Sequence, residues 1–373
     1  MIEIDGSYGE GGGQIVRTAL SLSCLFQKPF RIFNVRMNRS RPGLMPQHLT
    51  CVKAAQYITG AEVKGNYPGS VDLFFSPGEV HAGSFSFDIG TAGSTSLVLQ
   101  TLIPALAFSG QMTRVTLTGG THVPFSPSYY YLSEVFVRFL EQIGIRVRLS
   151  ISSYGFYPRG GGRIQADIFP AEKITPLQIR ERGPLQNFTG YSGVGNLPLA
   201  IAERQKTALL NKLFREVEEL KTAPHIELLE VSTPGKGTFI DFTAKCEHSI
   251  AGFTGLGAIG KKAEVVGEEA ASEFIRYYRT GAALDSHMAD QILLYLSLCS
   301  EESFFSSSAI TSHLLTNLWA IGLFHDIRYS VEGKTGEKGT IKLKGLDLKT
   351  VLKSSILKKR ERDKGRKDIA GKL

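Results

Sequence analysis

A glycine-rich stretch near the start of the chain carries a glutamate, a glutamine and an arginine, side-chain types that occur in phosphate sites. The stretch DGSYGEGGGQIVRTALSLS (5–23) places Glu10 among the glycines, with Gln14 and Arg17 on one face of the helix that follows. A short strand (2–4) precedes it, so free backbone N–H groups at the helix start could bind an anion. The pattern is neither a dinucleotide fingerprint, because Gln14 replaces the third glycine, nor a P-loop, which needs a lysine. A phosphate site and a plain strand-to-helix turn both fit it.

Three arginines on one short loop are a second candidate for anion binding. The stretch RMNRSRPGLMPQHLT (36–50) carries Arg36, Arg39 and Arg41 ahead of a helix whose first turn includes Gln47 and His48. Guanidinium groups this close together either meet an anion or point to water. The proline and glycine that follow stiffen the loop. Phosphate binding and a solvated surface loop remain equal alternatives.

An aromatic cluster follows in GGTHVPFSPSYYYL (119–132). Its rings, flanked by prolines, could stack on a nucleobase. More often such a cluster packs in the core at the start of a helix. The cluster consists of Phe125, Tyr129, Tyr130 and Tyr131.

A histidine late in the chain has the setting of a nucleophile. In SSAITSHLLTNLW, Thr311 or Ser312 can cap a helix, which places His313 in its first turn. The positive end of a helix lowers the pKa of a histidine, and a neutral imidazole can attack phosphorus to form a phosphoramidate. A structural histidine is the alternative.

The elements that must position these residues recur three times along the chain. Helix and strand periodicities predict the order β-α-β-α-β-β over residues 2–75, again over 84–169, and a third time, from its first helix onward, over 289–345. The predicted elements include a helix at 13–26, a strand at 30–36 and a helix at 312–323. The stretch GTAGSTSLVLQ (90–100) repeats the glycine turn at the equivalent point of the second pass and ends at Gln100. We therefore predict a mixed α/β (α+β) fold, each unit placing two helices on one face of a four-stranded sheet.

Between the second and third passes the pattern changes. Residues 181–279 predict a small α/β domain inserted into a large domain formed by 1–180 and 280–345. Within the insert we predict a helix at 208–221, strands at 226–232, 237–245 and 263–267, and a helix at 268–278. Residues 346–373 form a basic tail.

Composition limits the class of protein further. The 373 residues are 42% hydrophobic with a net charge of +8, enough to bury a large core in two or three domains. No apolar run is long enough for a membrane span, and the start MIEID resembles a strand, so we expect no span and no signal peptide. Four scattered cysteines favour a reducing, cytoplasmic setting without zinc or disulfides. The last sixteen residues hold eight basic and three acidic side chains, which would attract nucleic acid weakly.

Five stretches, taken in order, resemble the RNA 3′-terminal phosphate cyclase family: DGSYGEGGGQIVRTALSLS, RSRPGLMPQHLT, GTAGSTSLVLQT, GFYPRGGG and ADQ…SHLLTN. The resemblance runs from residue 2 to about residue 345. It implies three β-α-β-α-β-β units similar to the C-terminal domain of translation initiation factor three, with a small α/β insert. It also implies an ATP-dependent ligase that converts an RNA 3′-phosphate to a 2′,3′-cyclic phosphate. In that reaction a histidine takes AMP from ATP, AMP passes to the RNA end, and the 2′-OH closes the ring.

The resemblance also implies the site residues. The nucleophile would be His313, and Glu10 would hold Mg²⁺ or Mn²⁺ at the ATP phosphates. Phosphates and the RNA end would meet Arg17, Arg36, Arg39 and Gln47. ATP would be bound by Gln100, Pro127, Tyr131, His287, Asp290 and Gln291. The implied partner is an RNA with a 3′-phosphate end.

Some residues depart from the family pattern, and other functions fit parts of it. His287 stands where a tyrosine is usual, His122 replaces an acidic residue, and Met37 and Asn38 interrupt the arginine loop. A non-catalytic ribosome-assembly factor shares the fold but lacks the nucleophile, so His313 argues against it. An enolpyruvyl transferase uses similar repeated units but needs no such histidine.

Overall fold

In the computed structural model, which describes residues 1–218, 220 and 224–348, two helices and four strands form the first part of the chain. The strands are β1 (Ile2–Asp5), β2 (Phe30–Phe33), β3 (Glu62–Lys64) and β4 (Leu73–Ser76), and the helices are α1 (Gly13–Phe26) and α2 (Pro46–Thr59). The strand order is β1-β2-β4-β3. Each helix ends in a left-handed residue, Gln27 or Gly60, a common way to stop a helix.

The second sheet repeats this arrangement with longer strands. Its strands are β5 (Ser84–Asp88), β6 (Thr113–Gly119), β7 (Val147–Ser153) and β8 (Gly162–Ile168), in the order β5-β6-β8-β7. Helix α3 (Thr95–Ala107) begins at the cap Ser94, whose hydroxyl accepts the Leu97 N–H. Helix α4 covers 129–142 and includes a π-helical segment, Leu132–Phe136.

The insert follows a short strand, β9 (Gln178–Ile179). It contains β10 (Leu185–Gly195), β11 (His225–Glu230), β12 (Gly237–Cys246) and β13 (Ile250–Leu256), with α5 (Ala200–Glu216) and α6 (Ala263–Thr280). Its strand order is β11-β10-β12-β13. The rings of Phe188, Phe242, Phe253 and Phe274 centre a hydrophobic cluster separate from the main core.

The chain then completes the third sheet. Helix α7 (Ser286–Leu296), β14 (Ser303–Ser307), α8 (Ser312–Gly322), β15 (Arg328–Glu332) and β16 (Gly339–Lys344) follow in order. The sheet reads β9-β14-β16-β15, so a strand from before the insert forms its edge. Helix α1 packs against α3 and α8, which brings the start of the chain next to its late helices.

Three sheets therefore have the same strand order. In each, the first two strands pair in parallel and the fourth lies between the second and the third. The predicted mixed α/β fold is confirmed. The likeness to translation initiation factor three and the domain boundaries stay predictions.

A buried carboxylate joins the insert to the second sheet. Asp241 on β12 accepts a hydrogen bond from Ser128, the cap of α4, at 2.6 Å, and another from Thr254. His122 Nε2 lies 3.3 Å from its other oxygen, and the imidazole packs on Phe239 with ring centroids 4.3 Å apart. His122, one of the two histidines that depart from the family pattern, therefore lies in this junction.

The structure corrects several predicted elements. The segment 263–267, predicted as a strand, is the first turn of α6, where Val266 and Ala270 are both buried at helical spacing. Strands β10 and β13 were not predicted. The strand predicted at 30–36 ends at Phe33, because Asn34 and Arg36 adopt positive φ. From residue 349 onward the predicted basic tail lies outside the described residues.

No helix in the described ranges is long and apolar enough to cross a membrane. The four cysteines are all buried and unpaired with one another.

Candidate active site

His313 lies in the first turn of α8, as predicted, and Thr311 caps that helix. The Thr311 hydroxyl accepts the Leu314 N–H at 2.9 Å and donates to Asp290 Oδ1 at 2.6 Å. The cap thus connects the histidine turn to α7. The His313 side chain remains about half exposed, so a ligand can reach its ring.

Gln14 fixes the orientation of the His313 ring. Its Oε1 lies 2.6 Å from His313 Nδ1, and its amide nitrogen donates to the His313 carbonyl oxygen at 3.5 Å. Because an amide oxygen only accepts hydrogen bonds, Nδ1 carries the proton and the Nε2 lone pair is free. Burial, together with the Arg17 and Arg39 cations, lowers the pKa of His313 below its ordinary value. The ring is therefore a neutral imidazole with Nε2 available.

Glu10 lies next to the histidine. Its backbone N–H donates to Thr316 on α8 at 3.1 Å. One carboxylate oxygen pairs with Arg39. The other, Oε2, is buried and has no hydrogen-bond partner among the described residues, and it lies 3.5 Å from His313 Nδ1. An unpartnered buried carboxylate oxygen is costly, and it suits a cation supplied with a ligand.

A second histidine, His48, which the sequence places in the first turn of a helix without predicting a site role for it, supports the start of α1. His48 Nδ1 accepts the Met45 N–H at 3.1 Å, and its ring packs against Gly13. A Cβ on Gly13 would lie 2.0 Å from His48 Nε2, so only glycine allows this contact. Burial, with the Arg17 and Arg36 cations nearby, lowers the pKa of His48 to about 3. His48 is therefore a neutral packing and hydrogen-bonding residue.

The arginine loop is held by one of its own members. Arg36 donates to the carbonyl oxygens of Arg41 and Gly43 at 2.8 and 2.9 Å. Arg36 and Arg39 line a cavity together with Arg17 on α1. Burial lowers the pKa of both Arg17 and Arg36, but a guanidinium stays charged at neutral pH.

The first of two cavities at this site has a volume of about 520 Å³. It lies between α1, α3, α7 and the insert, which contributes Gly252, Thr254 and Glu273. All the residues predicted to bind ATP line it: Gln100, Pro127, Tyr131, His287, Asp290 and Gln291. The sequence analysis assigned no residue of the insert to the site. In the structure the insert lines one wall of the first cavity.

Hydrogen bonds fix the polar lining of this first cavity. Gln100 donates to Gln291 Oε1 at 2.5 Å, and the Tyr131 hydroxyl donates to Asp285 at 2.8 Å. Burial raises the pKa of Asp290 to about 8, although the hydrogen bond from Thr311 acts in the opposite direction. At neutral pH the cavity therefore presents a neutral carboxylic acid beside two amides.

The second cavity, of about 840 Å³, lies over the glycine turn and the arginine loop. Its lining includes Glu10, Arg17, Arg36, Arg39 and Gln47, the residues predicted to bind the metal, the phosphates and the RNA end. Gln47 also accepts the Ser94 N–H at 3.2 Å, which connects this cavity to the cap of α3. His313, Gln14 and Arg17 line both cavities.

All twelve predicted site residues thus line one or both of two adjoining cavities, with His313 where the cavities meet. Gln14, His48 and Asp285 belong to the same neighbourhood although none was predicted as a site residue. The sequence signals were the position of Gln14 on the Arg17 face of α1 and the position of His48 in the first turn of α2. The roles of the twelve residues stay predictions.

The residues of the predicted aromatic cluster differ in burial. Tyr129 and Tyr131 are buried, and Tyr130 stacks on Tyr191 of the insert with ring centroids 4.3 Å apart. These three rings therefore pack within the protein, and Tyr131 also lines the first cavity, whereas Phe125 is fully exposed.

Fold and site together define a mixed α/β protein with a basic, histidine-centred binding site of the kind that suits phosphorylated ligands. Comparison with known proteins makes this specific. The chain belongs to the RNA 3′-terminal phosphate cyclase family, whose family model matches residues 8–331.

Relatives named RNA 3′-terminal phosphate cyclase match nearly their full length. The protein of Sulfolobus acidocaldarius is 46% identical over 336 residues, covering 90% of this chain and 98% of the relative. That of Staphylothermus marinus is 43% identical, covering 93% and 99%. Among solved structures, the enolpyruvyl transferase NikO from Streptomyces tendae is 15% identical over 46% of this chain and 33% of its own, with a TM-score of 0.27. That similarity is too low to carry an argument.

Proposed function

We propose that this protein is an ATP-dependent RNA 3′-phosphate cyclase that works through a covalent histidine–AMP intermediate. One observation carries the proposal: His313 lies where the two cavities meet, with Nε2 free. In this arrangement one imidazole reaches a nucleotide in the first cavity and an RNA end in the second. Family membership and the names of the relatives agree with the overall reaction.

The first step is nucleotidyl transfer to the protein. His313 Nε2 attacks the α-phosphorus of ATP, the bond from that phosphorus to the bridging oxygen breaks, and pyrophosphate leaves. The Nδ1 proton stays on the ring, so the modified imidazole is cationic. The Glu10 carboxylate, 3.5 Å from Nδ1, offsets this charge. A cationic ring is in turn a good leaving group for the next transfer.

The later steps need mainly charge balance and positioning. An oxygen of the RNA 3′-phosphate attacks the AMP phosphorus, the nitrogen–phosphorus bond breaks, and an RNA–AMP anhydride forms. The 2′-OH then attacks the 3′-phosphorus, loses its proton, and expels AMP as the ring closes. Arg17, Arg36 and Arg39 would offset the negative charge of these phosphates.

A divalent cation fits beside Glu10. Mg²⁺ is commonly held by one or two carboxylates together with substrate phosphates and water, and the unpartnered Glu10 Oε2 provides one such ligand. No group of three or more potential metal-binding residues occurs in the described ranges, so the remaining ligands would come from ATP and water. A bound Mg²⁺ or Mn²⁺ would neutralise phosphate charge there.

The three sheets of equal strand order support a finer description of the fold. We propose that they are repeats of one β-α-β-α-β-β unit similar to the C-terminal domain of translation initiation factor three. On this view the insert interrupts the third repeat after its first strand, β9.

The proposal is tested with ATP radiolabelled at the α-phosphate. We expect wild-type protein to retain label after denaturation, and the label to survive alkali and be lost in acid, as a phosphoramidate does. His313→Ala should retain none. His248→Ala, which changes an exposed histidine of the insert outside both cavities, should label like wild type.

The same protein is then given an RNA with a 3′-phosphate. Formation of a 2′,3′-cyclic phosphate that requires His313 would support the full reaction. If wild type retains no label yet binds RNA, the cyclase proposal fails and a non-catalytic assembly role is favoured.

A further inference from the structure

Two exposed aromatic rings stand at the rim of the second cavity. Phe125 is fully exposed and Tyr157 is 70% exposed, and both line that cavity. Some other exposed rings have aromatic partners: Tyr8 stacks on Trp319 with centroids 3.9 Å apart. Three exposed rings that have no ring partner among the described residues lie outside both cavities: Tyr67, Phe214 and Tyr329. In the part of the chain that the structure describes, Phe125 and Tyr157 contact no other ring, and their exposure lets a ligand reach them.

The backbone holds Phe125 in a conformation that packing does not explain. Its φ is +61°, a region that residues with a Cβ adopt at a cost and that is concentrated at functional sites. The turn is closed by the Ser126 hydroxyl, which donates to the Val123 carbonyl at 3.1 Å. The strain keeps a large apolar ring in water, which suggests that the ring has a partner when the protein works.

The loop that carries Tyr157 is fixed to the Phe125 loop. Its turn is closed by the Gly160 N–H, which donates to the Phe156 carbonyl at 2.7 Å, and the His122 N–H donates to the Gly155 carbonyl at 3.1 Å. Phe156 is buried, so it anchors the turn. Both rings are therefore held on backbone that is tied together before any ligand arrives.

The charge beside the rings is that of an anion site. Arg17, Arg36 and Arg39 line the same cavity, and Arg159, two residues after Tyr157, is exposed. Cations that bind phosphates next to aromatic faces that stack on bases are the usual combination for single-stranded nucleic acid. Stacking accepts any base, because every base has a flat face.

We propose that Phe125 and Tyr157 form a stacking platform for the bases at the 3′ end of an RNA whose terminal phosphate enters the second cavity. The inference rests on the proposed cyclase function. It adds a binding subsite for the RNA bases, distinct from the residues that hold the phosphates and ATP. The platform positions the strand without selecting its sequence.

Tyr157 gives the sharper test, because it lines only the second cavity, whereas Phe125 lines both. The value of kcat/KM is measured for wild type, Tyr157→Ala, Tyr157→Phe and Tyr329→Ala, the last an exposed tyrosine outside both cavities. Each is assayed with a 3′-phosphorylated oligoribonucleotide and with the same RNA lacking its last two bases but keeping both riboses. Histidine adenylylation without RNA is measured alongside.

We expect Tyr157→Ala to lower kcat/KM for the intact RNA by about tenfold. For wild type, kcat/KM should be lower by a similar factor on the RNA without terminal bases. For Tyr157→Ala, kcat/KM should fall little further on that RNA, because the substitution and the missing bases remove the same interaction. Tyr157→Phe keeps the ring and should match wild type, as should Tyr329→Ala. Normal adenylylation of Tyr157→Ala would show that the variant folds and binds ATP.

The platform is refuted if kcat/KM of Tyr157→Ala equals that of wild type on intact RNA. It is also refuted if the substitution lowers kcat/KM by the same factor on both RNAs. These results differ from failure of the proposed function, in which wild type itself would form no histidine–AMP and no cyclic phosphate.

Discussion

Gln14 Oε1 lies 2.6 Å from His313 Nδ1, although the two residues are 299 positions apart in the chain. The same side chain donates to the His313 carbonyl, so the amide cannot be turned round without losing both contacts. One residue of α1 thus sets which nitrogen of His313 carries its proton.

Removal of this amide should slow the first chemical step. We expect Gln14→Ala to lower the rate constant of His313 adenylylation by about 10- to 100-fold, the usual scale when an orienting partner of a functional histidine is lost. Affinity for ATP should change little, since Gln14 acts through the ring. Single-turnover labelling across ATP concentrations separates the two quantities.

Gln14→Glu is the conservative variant, because it keeps an oxygen acceptor for Nδ1–H. It should recover part of the rate that Gln14→Ala loses. Equal rates for Gln14→Ala and wild type would show that the tautomer is set in another way.

Asp290 should make stability depend on pH. Its pKa rises from an ordinary 3.8 to about 8 in the folded protein, so between these values the folded state holds a proton that the unfolded state releases. Stability from this group is present below about pH 4 and falls as the pH rises towards 8, with a slope of up to about 1.4 kcal/mol per pH unit. Asparagine does not titrate, so Asp290→Asn removes this pH-dependent loss of stability. Its amide oxygen can still accept the hydrogen bond from Thr311.

The measurement is urea unfolding of wild type and Asp290→Asn at several pH values between 4 and 8. The free energy of unfolding of Asp290→Asn, relative to that of wild type, should increase as the pH rises. A constant difference would contradict the raised pKa.

Gly13→Ala should destabilise the protein by about 1–3 kcal/mol, because the new methyl group would overlap the buried His48 ring. Gly322→Ala is the matched control. Gly322 ends α8 with no atom near its missing Cβ, so alanine there should be neutral or slightly stabilising. Thermal unfolding of both variants checks the difference; equal melting temperatures would mean that His48 moves aside freely.

Asp241→Ala should cost about 1–3 kcal/mol, because it leaves the buried Ser128 hydroxyl without its acceptor and His122 without its charged neighbour. Glu264→Ala breaks the exposed pair with Arg204 and should lower stability much less, because exposed ion pairs contribute little. Chemical denaturation measures both. If the two losses were equal, the junction between insert and second sheet would not depend on this carboxylate.

Local sequence was a good guide to the elements around the site. Helix α1 begins at Gly13 and α8 at Ser312, as predicted, because caps and helical periodicity mark helix ends. Local sequence did not predict strand β10, because the glycines of this segment weaken a strand pattern. In the structure the ring of Phe239 on the neighbouring strand lies over Gly193, within 2.3 Å of where a Cβ would be, so a cross-strand contact supports this segment.

Sequence alone thus determined the types of most elements around the site, the chemically capable residues and, through resemblance, their expected roles. It did so because caps, glycine turns and periodicity act over a few residues. Tertiary structure alone decided that Glu10 and Gln14 meet His313, that the insert lines the first cavity, and that Phe125 stays exposed while its neighbouring tyrosines pack. It also set the pKa values of Asp290 and His48. Distances between remote segments follow from how helices and sheets pack, and a pKa follows from the burial and neighbouring charges that this packing creates.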